Sequence, residues 1–491
     1  MMETHKGAVA RLAEDVARFY TRRTPFWIYH GSTNCTRQVS FDRSGIVDTS
    51  DLNHVLEIDP KSMVVIAEPN VPMDLLVQTT LKHGFIPPVV PEFPGITVGG
   101  AFSGTAGESS SFKYGYFDRI VNSVEIILAN GEVTRASQTD EKKDLFNGAA
   151  GAFGTLGVLT LLEIQLIPAK THVALTYIPV GDTKDAIATV KECVVAEKQP
   201  FDFVDGIQFS KDLGVVCVGH MTDTCTNTPQ TFSGPWDPWF YMHAQSRCSS
   251  GSKKIPLTDT IPLQDYLFRY DRGAFWMGKY YPLFPFSFLN NTFSRWFWDS
   301  FLHTRVLFQS MHISNRSQKF IIQDLGLPVQ KAEEFLDFVK EEWGIYPLWL
   351  CPLKIGRDVN FQRVGKEGLG EEMELAINVG VWGPGPEDFG KFVAENRRLE
   401  RRLGELGGRK WLYAHTYYTQ DEFWQLYDRE QYDGLRRKYC AESLPNVYNK
   451  VKSTEVEFPR RDLRATWHGL YGHFLGFKVQ YLLSGEKQNA E

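Results

Sequence analysis

In the stretch PEFPGITVGGAFSGTAGESSSFKYG (residues 91–115), Gly99, Gly100, Gly104 and Gly107 remove side chains at close intervals. Thr97, Ser103, Thr105 and Ser109 stand among them as hydroxyl donors. Val98, Ala101, Phe102 and Ala106 keep the run too apolar for a linker, and Glu108 and Tyr114 follow it. Bare backbone of this kind lets a flat or phosphorylated ligand approach closely, with amide N–H groups turned toward phosphate oxygens. Two shorter glycine-bearing loops join it. His30, Gly31, Ser32, Thr33 and Asn34 follow the strand-like PFWIY, and Gly154, Gly157 and Val158 lie in GAFGTLGV ahead of an apolar strand. Three such loops at strand ends suit one extended cofactor lying across them. The spacing is neither G-x-G-x-x-G nor G-x-x-x-x-G-K-[ST], so neither a Rossmann turn nor a P-loop accounts for it.

The elements that must position these loops are legible in outline. A chain of 491 residues exceeds one ordinary core and predicts two or three domains. Residues 1–24 hold Val9, Leu12, Val16 and Phe19 at helical spacing, an amphipathic helix broken by charges. Residues 25–168 read as an α+β domain: a short strand, the pair around HVLEIDPKSMVVIAEP, a helix ending at Gly84, and a hairpin turning at Asn130-Gly131. Residues 169–410 mix strands such as LGVVCVGHM and LAINVGVWG with helices, and form the expected cap. Within them, residues 275–308 are dense in aromatics, which suits a core wedge, an apolar pocket wall or a membrane-surface contact. Residues 411–458 complete the fold, and 459–491 form an amphipathic aromatic tail.

Composition narrows the class. The net charge of −6 and pI near 6.1 give no electrostatic footprint for nucleic acid. The seven cysteines form no CxxC pair, which argues against a zinc site and for a reducing compartment. No run of about 18 apolar residues occurs, so no membrane-spanning helix is expected.

The order LEID…VVIAEPNV, TVGGAFSGT, KYG, ANGEV and GTLGVLT resembles the FAD-binding domain of the vanillyl-alcohol-oxidase-type flavoproteins, the PCMH-type fold. The form TVGGAFSGTAGESSSFKYG is similar to the Delta(24)-sterol reductases. That resemblance continues through IPLQDYLFRYDRGAFW, YPLWLCPLKI and LYAHTYYTQDEFWQLYD, over nearly the whole chain. It implies a PCMH-type domain of two α/β subdomains holding non-covalent FAD, a mixed α/β substrate cap, and NADPH-dependent saturation of a sterol C24=C25 bond. The chain departs from the family's pattern in lacking an apolar N-terminal segment, in its first loop HGSTNCTR, and in its aromatic tail. An intracellular protein, cytoplasmic or peripherally attached to the endoplasmic reticulum membrane, is the expectation. His30 stands where some relatives of the wider superfamily carry a flavin-linked histidine; a lone histidine is more often structural.

Reduction of an isolated alkene needs an acid near C24 and a dry channel for the sterol. The candidate acids are Tyr417 and His415, with Tyr413 and Tyr418 beside them in YAHTYYTQDEF, and Asp324 in IIQDLGLP. A tyrosine cluster also serves as packing, and Asp324 as a helix cap. Arg269 and Arg272 suit a nicotinamide dinucleotide's 2′-phosphate, or are ordinary charges. The alternative on the same fold is a flavin-dependent oxidase or dehydrogenase of another lipophilic substrate.

Overall fold

A computed structural model of the chain describes residues 1–31, 33–37, 41–195, 201–225, 228–249, 255–280, 291–355, 375–457 and 483–484. The fold is α+β and rests on two antiparallel sheets. Across the first, the strands run Val55–Asp59, Val64–Ala67, Val158–Gln165, Val121–Ile127 and Val133–Ser137. Alternation along these strands sends Val65, Val124, Leu162 and Ile164 into one apolar core. The hairpin turns at Gly131, whose φ of +89° suits glycine. A Cβ there would lie 2.7 Å from Ala17 Cβ, because the N-terminal helix Met2–Thr21 packs directly on the turn. That helix buries Val9, Leu12 and Val16, as their spacing predicts.

The second sheet has eight strands in the order Leu257–Pro262, His172–Val180, Leu213–Thr222, Phe203–Ser210, Leu348–Lys354, Leu375–Pro384, Phe320–Pro328 and Arg409–Lys410. Its register fixes the chemistry described below. Asp324 is paired with Gly380, and Gly380 in turn with Trp349, so the three form a row across neighbouring strands. Trp382 and Asn378 lie two residues either side of Gly380, on the same face. The bare Gly380 leaves the space that Asp324 fills: a Cβ there would sit 3.1 Å from Asp324 Oδ1.

The chain then returns to the first core. Leu412, Tyr418, Phe423, Tyr432, Leu435 and Val447 all pack in the cluster that holds Val124 and Leu162. In the aromatic stretch, Phe275, Trp276 and Phe308 are buried, while Phe293, Trp296 and Phe297 are exposed. Of the expected tail, all but Leu483–Ser484 lies outside the described residues; that pair adds in parallel to Phe41–Asp42. Among the described residues, no helix is long and apolar enough to cross a membrane.

Candidate functional site

The glycine run, read from sequence as a loop, folds instead into the helix Val98–Ser103. Thr97 caps it, its hydroxyl accepting from the Gly100 N–H at 3.1 Å. This corrects the expected use of the amides. Gly99 N–H donates to Pro69 O at 2.7 Å, Gly104 N–H to Gly100 O at 2.9 Å, and Ala106 N–H to Ala101 O at 2.9 Å. These donors are spent on the protein's own carbonyls, so phosphate contact there is not their task. What the glycines supply is closeness. A Cβ on Gly99 would lie 2.7 Å from Pro69 Cβ, whereas one on Gly100 would meet only the Thr97 hydroxyl and otherwise open space.

That open space is a cavity of about 570 Å³ between the glycine helix and the Asp324 face of the larger sheet. Of the residues expected from sequence to hold a cofactor, His30, Thr33, Asn34, Thr97, Gly99, Gly100, Ala101, Ser103, Gly104, Ala106, Gly107 and Gly154 line it. Others do not. Val98 and Phe102 turn into the core, Phe102 edge-on to Phe146. Thr105 is buried, and Gly157 is pressed against Ile126 and Ile127. The Glu108 carboxylate is taken by the Ser109 hydroxyl at 2.6 Å and the Ser110 N–H at 2.9 Å. Gly31, Tyr114 and Val158 are also absent from the lining, and Ser32 lies outside the described residues.

Two chemically distinct groups face the cavity. The first is cationic. Lys450, from the short helix Val447–Val451, lines it with Arg37 and His30. No carboxylate lies within ion-pair distance of Lys450 among the described residues. Burial, and secondarily Arg37, lowers the Lys450 ammonium to about 8; burial and Lys450 lower the His30 imidazole to about 4. His30 Nδ1 and Arg37 Nε are buried without a hydrogen-bond partner. Lys450 and Arg37, the latter also donating to the Leu412 and Ala414 carbonyls, stand without a carboxylate partner beside a neutral His30 and a bare helix surface, and fit an anionic cofactor such as a dinucleotide's pyrophosphate.

The second group is acidic and set in aromatics. Asp324 accepts from the Tyr413 hydroxyl at 2.5 Å and from Asn378 Nδ2 at 2.9 Å. Burial raises its carboxyl above the ordinary range, and those donors offset part of that. Glu92 lines the same cavity, its carboxyl pushed up to about 8, chiefly by burial. Around them stand Phe93, Phe308, Trp349 and Trp382, with Phe93 5.8 Å from Trp382 and 6.2 Å from Phe308 between ring centroids.

Of the three expected catalytic residues, the structure brings only Asp324 to this wall. His415 and Tyr417 stack on each other at 6.1 Å and against Phe392, on the far side of the larger sheet's packing. Burial, then Lys410 and Arg37, lowers His415 to about 3, and burial raises the Tyr417 hydroxyl above its usual range. Arg269 and Arg272 are likewise spent. Arg269 pairs with Asp205 at 2.7 Å, and Arg272 with Asp299 at 2.7 Å and three backbone carbonyls. Sequence reasoning missed Glu92, Lys450 and Arg37 as site residues. Glu92 had a signal, a carboxylate between Pro91 and Phe93. Lys450 had none, being far along the chain from everything it meets.

Residues 8–137 match the model of an FAD binding domain family. The chain is 31% identical over 412 residues to the Delta(24)-sterol reductase of Homo sapiens, covering 82% of this chain and 76% of that protein. With the Delta(24)-sterol reductase of Arabidopsis thaliana it shares 31% identity over 458 residues, 88% of this chain and 80% of the relative. A shorter likeness, 31% over 158 residues, reaches the D-lactate dehydrogenase of Anaerostipes hadrus, covering 31% of this chain and 33% of that protein. The fold, the glycine-lined cavity and these extended similarities agree: the chain is a flavin oxidoreductase that belongs to the Delta(24)-sterol reductase family.

Proposed function

We propose that the chain is an FAD-dependent, NADPH-consuming reductase of a carbon–carbon double bond, the C24=C25 side-chain bond of a sterol. The observation that carries this reading is the single cavity whose wall joins a bare glycine surface and unpaired cations to carboxyls set among aromatics. Lys450, Arg37 and His30 would hold the pyrophosphate of FAD, and Gly99, Gly100 and Gly104 would let its flat ring lie against the helix. When bound and reduced by NADPH, FAD supplies the hydride that the alkene carbon C25 needs.

The chain's own residues do the rest. Phe93, Phe308, Trp349 and Trp382 exclude water and give the sterol side chain an apolar seat. The acid has to stand in this wall, because charge builds at the tertiary C25 as C24 gains its proton. Asp324, held by Tyr413 and Asn378, is the member of the expected catalytic set with access to that position. The residues that recognise NADPH are not Arg269 or Arg272, which are engaged elsewhere. Peripheral contact with a membrane, where such sterols reside, belongs to the same proposal.

Incubation of the purified protein with FAD, NADPH and a Δ24-sterol tests it by mass spectrometry of the extracted lipid. A product heavier by two hydrogens on the side chain is expected. An unchanged sterol, with hydrogen peroxide formed from another lipophilic substrate, would favour the oxidase or dehydrogenase reading instead.

A further inference from the structure

We propose that the Glu92 carboxyl is the proton donor of the reduction, delivering its proton to C24, and that Asp324 is the fixed hydrogen-bonded partner beside it. This inference rests on the alkene-reductase reading above.

Two carboxyls line one cavity, and their surroundings differ in kind. Asp324 receives the Tyr413 O–H and an Asn378 N–H, and sits against the backbone of Gly380. Donors of that sort favour the charged form and pin the group in place. Glu92 receives no side-chain donor among the described residues. It is half-buried between Pro91 and Phe93 and lines the cavity together with Phe93, Trp349 and Trp382.

The charges that face Glu92 are two carboxyls against one cation. Asp324 from the strand Phe320–Pro328 and Glu108 from the loop after the glycine helix both oppose its ionisation. The Tyr413 hydroxyl and the Cys351 thiol lie close enough to feel its charge. Arg269 is the cation that favours ionisation, and its guanidinium is already held by Asp205 at 2.7 Å. Burial leads these effects and brings the Glu92 carboxyl to about 8. At neutral pH Glu92 therefore carries a proton in a cavity that aromatic rings line on one wall. Burial raises both carboxyls, but two donors hold Asp324 in place and no side chain holds Glu92, which divides the labour between fixed partner and proton donor.

The alkene π pair forms the new C24–H bond with the Glu92 proton, leaving a carboxylate. FAD, when bound and reduced, would supply the hydride that C25 takes and would be left oxidised. Solvent returns a proton to Glu92 before the next turnover. The reaction consumes one NADPH and one proton per alkene.

Two measurements test the assignment. The first needs no turnover: infrared spectra of the purified protein across pH, comparing wild type with Glu92→Gln and Glu92→Asp. A protonated-carboxyl C=O band that titrates near pH 8 and vanishes in Glu92→Gln is expected. The same band persisting in Glu92→Gln would overturn the assignment. The second separates the half-reactions in stopped flow. Loss of sterol-driven flavin reoxidation by about 100-fold or more is expected in Glu92→Gln, with partial return in Glu92→Asp. In wild type this rate falls as pH rises through about 8, where the acid form is lost. Reoxidation in Glu92→Gln at the wild-type rate would overturn the proposal. A wild-type flavin that sterol never reoxidises would instead remove the alkene-reductase reading itself, so the two failures are distinct.

Discussion

Lys450 and the glycines it faces make the sharpest residue-scale claims. Replacing a charge-assisted phosphate contact with a neutral side chain removes about 1.5–3 kcal/mol, or roughly 10- to 100-fold in affinity. Lys450→Met is therefore expected to weaken FAD binding by that factor, measured by flavin titration of the apoprotein, with thermal stability held. Unchanged affinity would mean that the cationic group holds something else. Gly99 and Gly100 separate packing from binding. Gly99→Ala forces a methyl to within 2.7 Å of Pro69 Cβ and is expected to cost about 1–3 kcal/mol of stability. Gly100→Val projects into the cavity and is expected to lose flavin while the apoprotein remains folded. At this scale the sequence was informative where chemistry and spacing coincided. The glycine positions stood out because nothing else explains apolar residues interleaved with missing side chains. The amide assignment was wrong because whether a backbone N–H is free depends on which carbonyl comes to meet it. Here Pro69 is that neighbour, thirty residues upstream of Gly99.

Among the elements, the N-terminal helix is held by a titratable latch. His5 is buried and bonds Glu68 at 2.8 Å and Glu125 at 3.3 Å. Burial lowers its imidazole, but the two carboxylates outweigh that and raise it to about 9 from 6.5. The charged form is thus favoured by the folded state. Its contribution is complete below about pH 6.5 and is lost as pH rises through about 9. Glu68 and Glu125, both held below their ordinary value of 4.5, lose theirs as pH falls through that region. The melting temperature is expected to decline between pH 6.5 and 9, and His5→Gln should flatten that decline; an equal slope in both would contradict the latch. The helix itself was legible from its 3.6-residue apolar period, and the strands from alternation. Its partners were not, because Glu68, just past the strand Val64–Ala67, and Glu125, within Val121–Ile127, are distant in the chain. The helix within residues 98–103 was illegible for a different reason: two adjacent glycines are poor helix formers, and it forms because Thr97 caps it and Pro69 packs on it.

For the whole molecule, the cavity exists because the glycine helix faces the larger sheet, and buried charge sits beneath it. Asp205 accepts from Arg269 at 2.7 Å, the Tyr270 hydroxyl at 2.7 Å and Trp349 Nε1 at 3.1 Å, tying strand Phe203–Ser210 to a wall residue of the cavity. Asp205→Ala strands the Arg269 guanidinium and is expected to destabilise by about 3–5 kcal/mol, read by denaturant unfolding. A loss below about 1 kcal/mol would mean that the pair is dispensable. The α+β architecture was readable from the order of strands and helices. The cavity was not, since Glu92, Asp324 and Lys450 approach one another only through sheet register and the return of residues 411–457 to the first core. On the proposed reading, this cavity passes electrons from NADPH through FAD to a sterol alkene. The most direct test is the anaerobic visible spectrum of the FAD-loaded protein, before and after NADPH and then with a Δ24-sterol. A flavin band that NADPH bleaches and the sterol restores is expected. A band that NADPH leaves intact, or a bleached band that the sterol cannot restore, would contradict it.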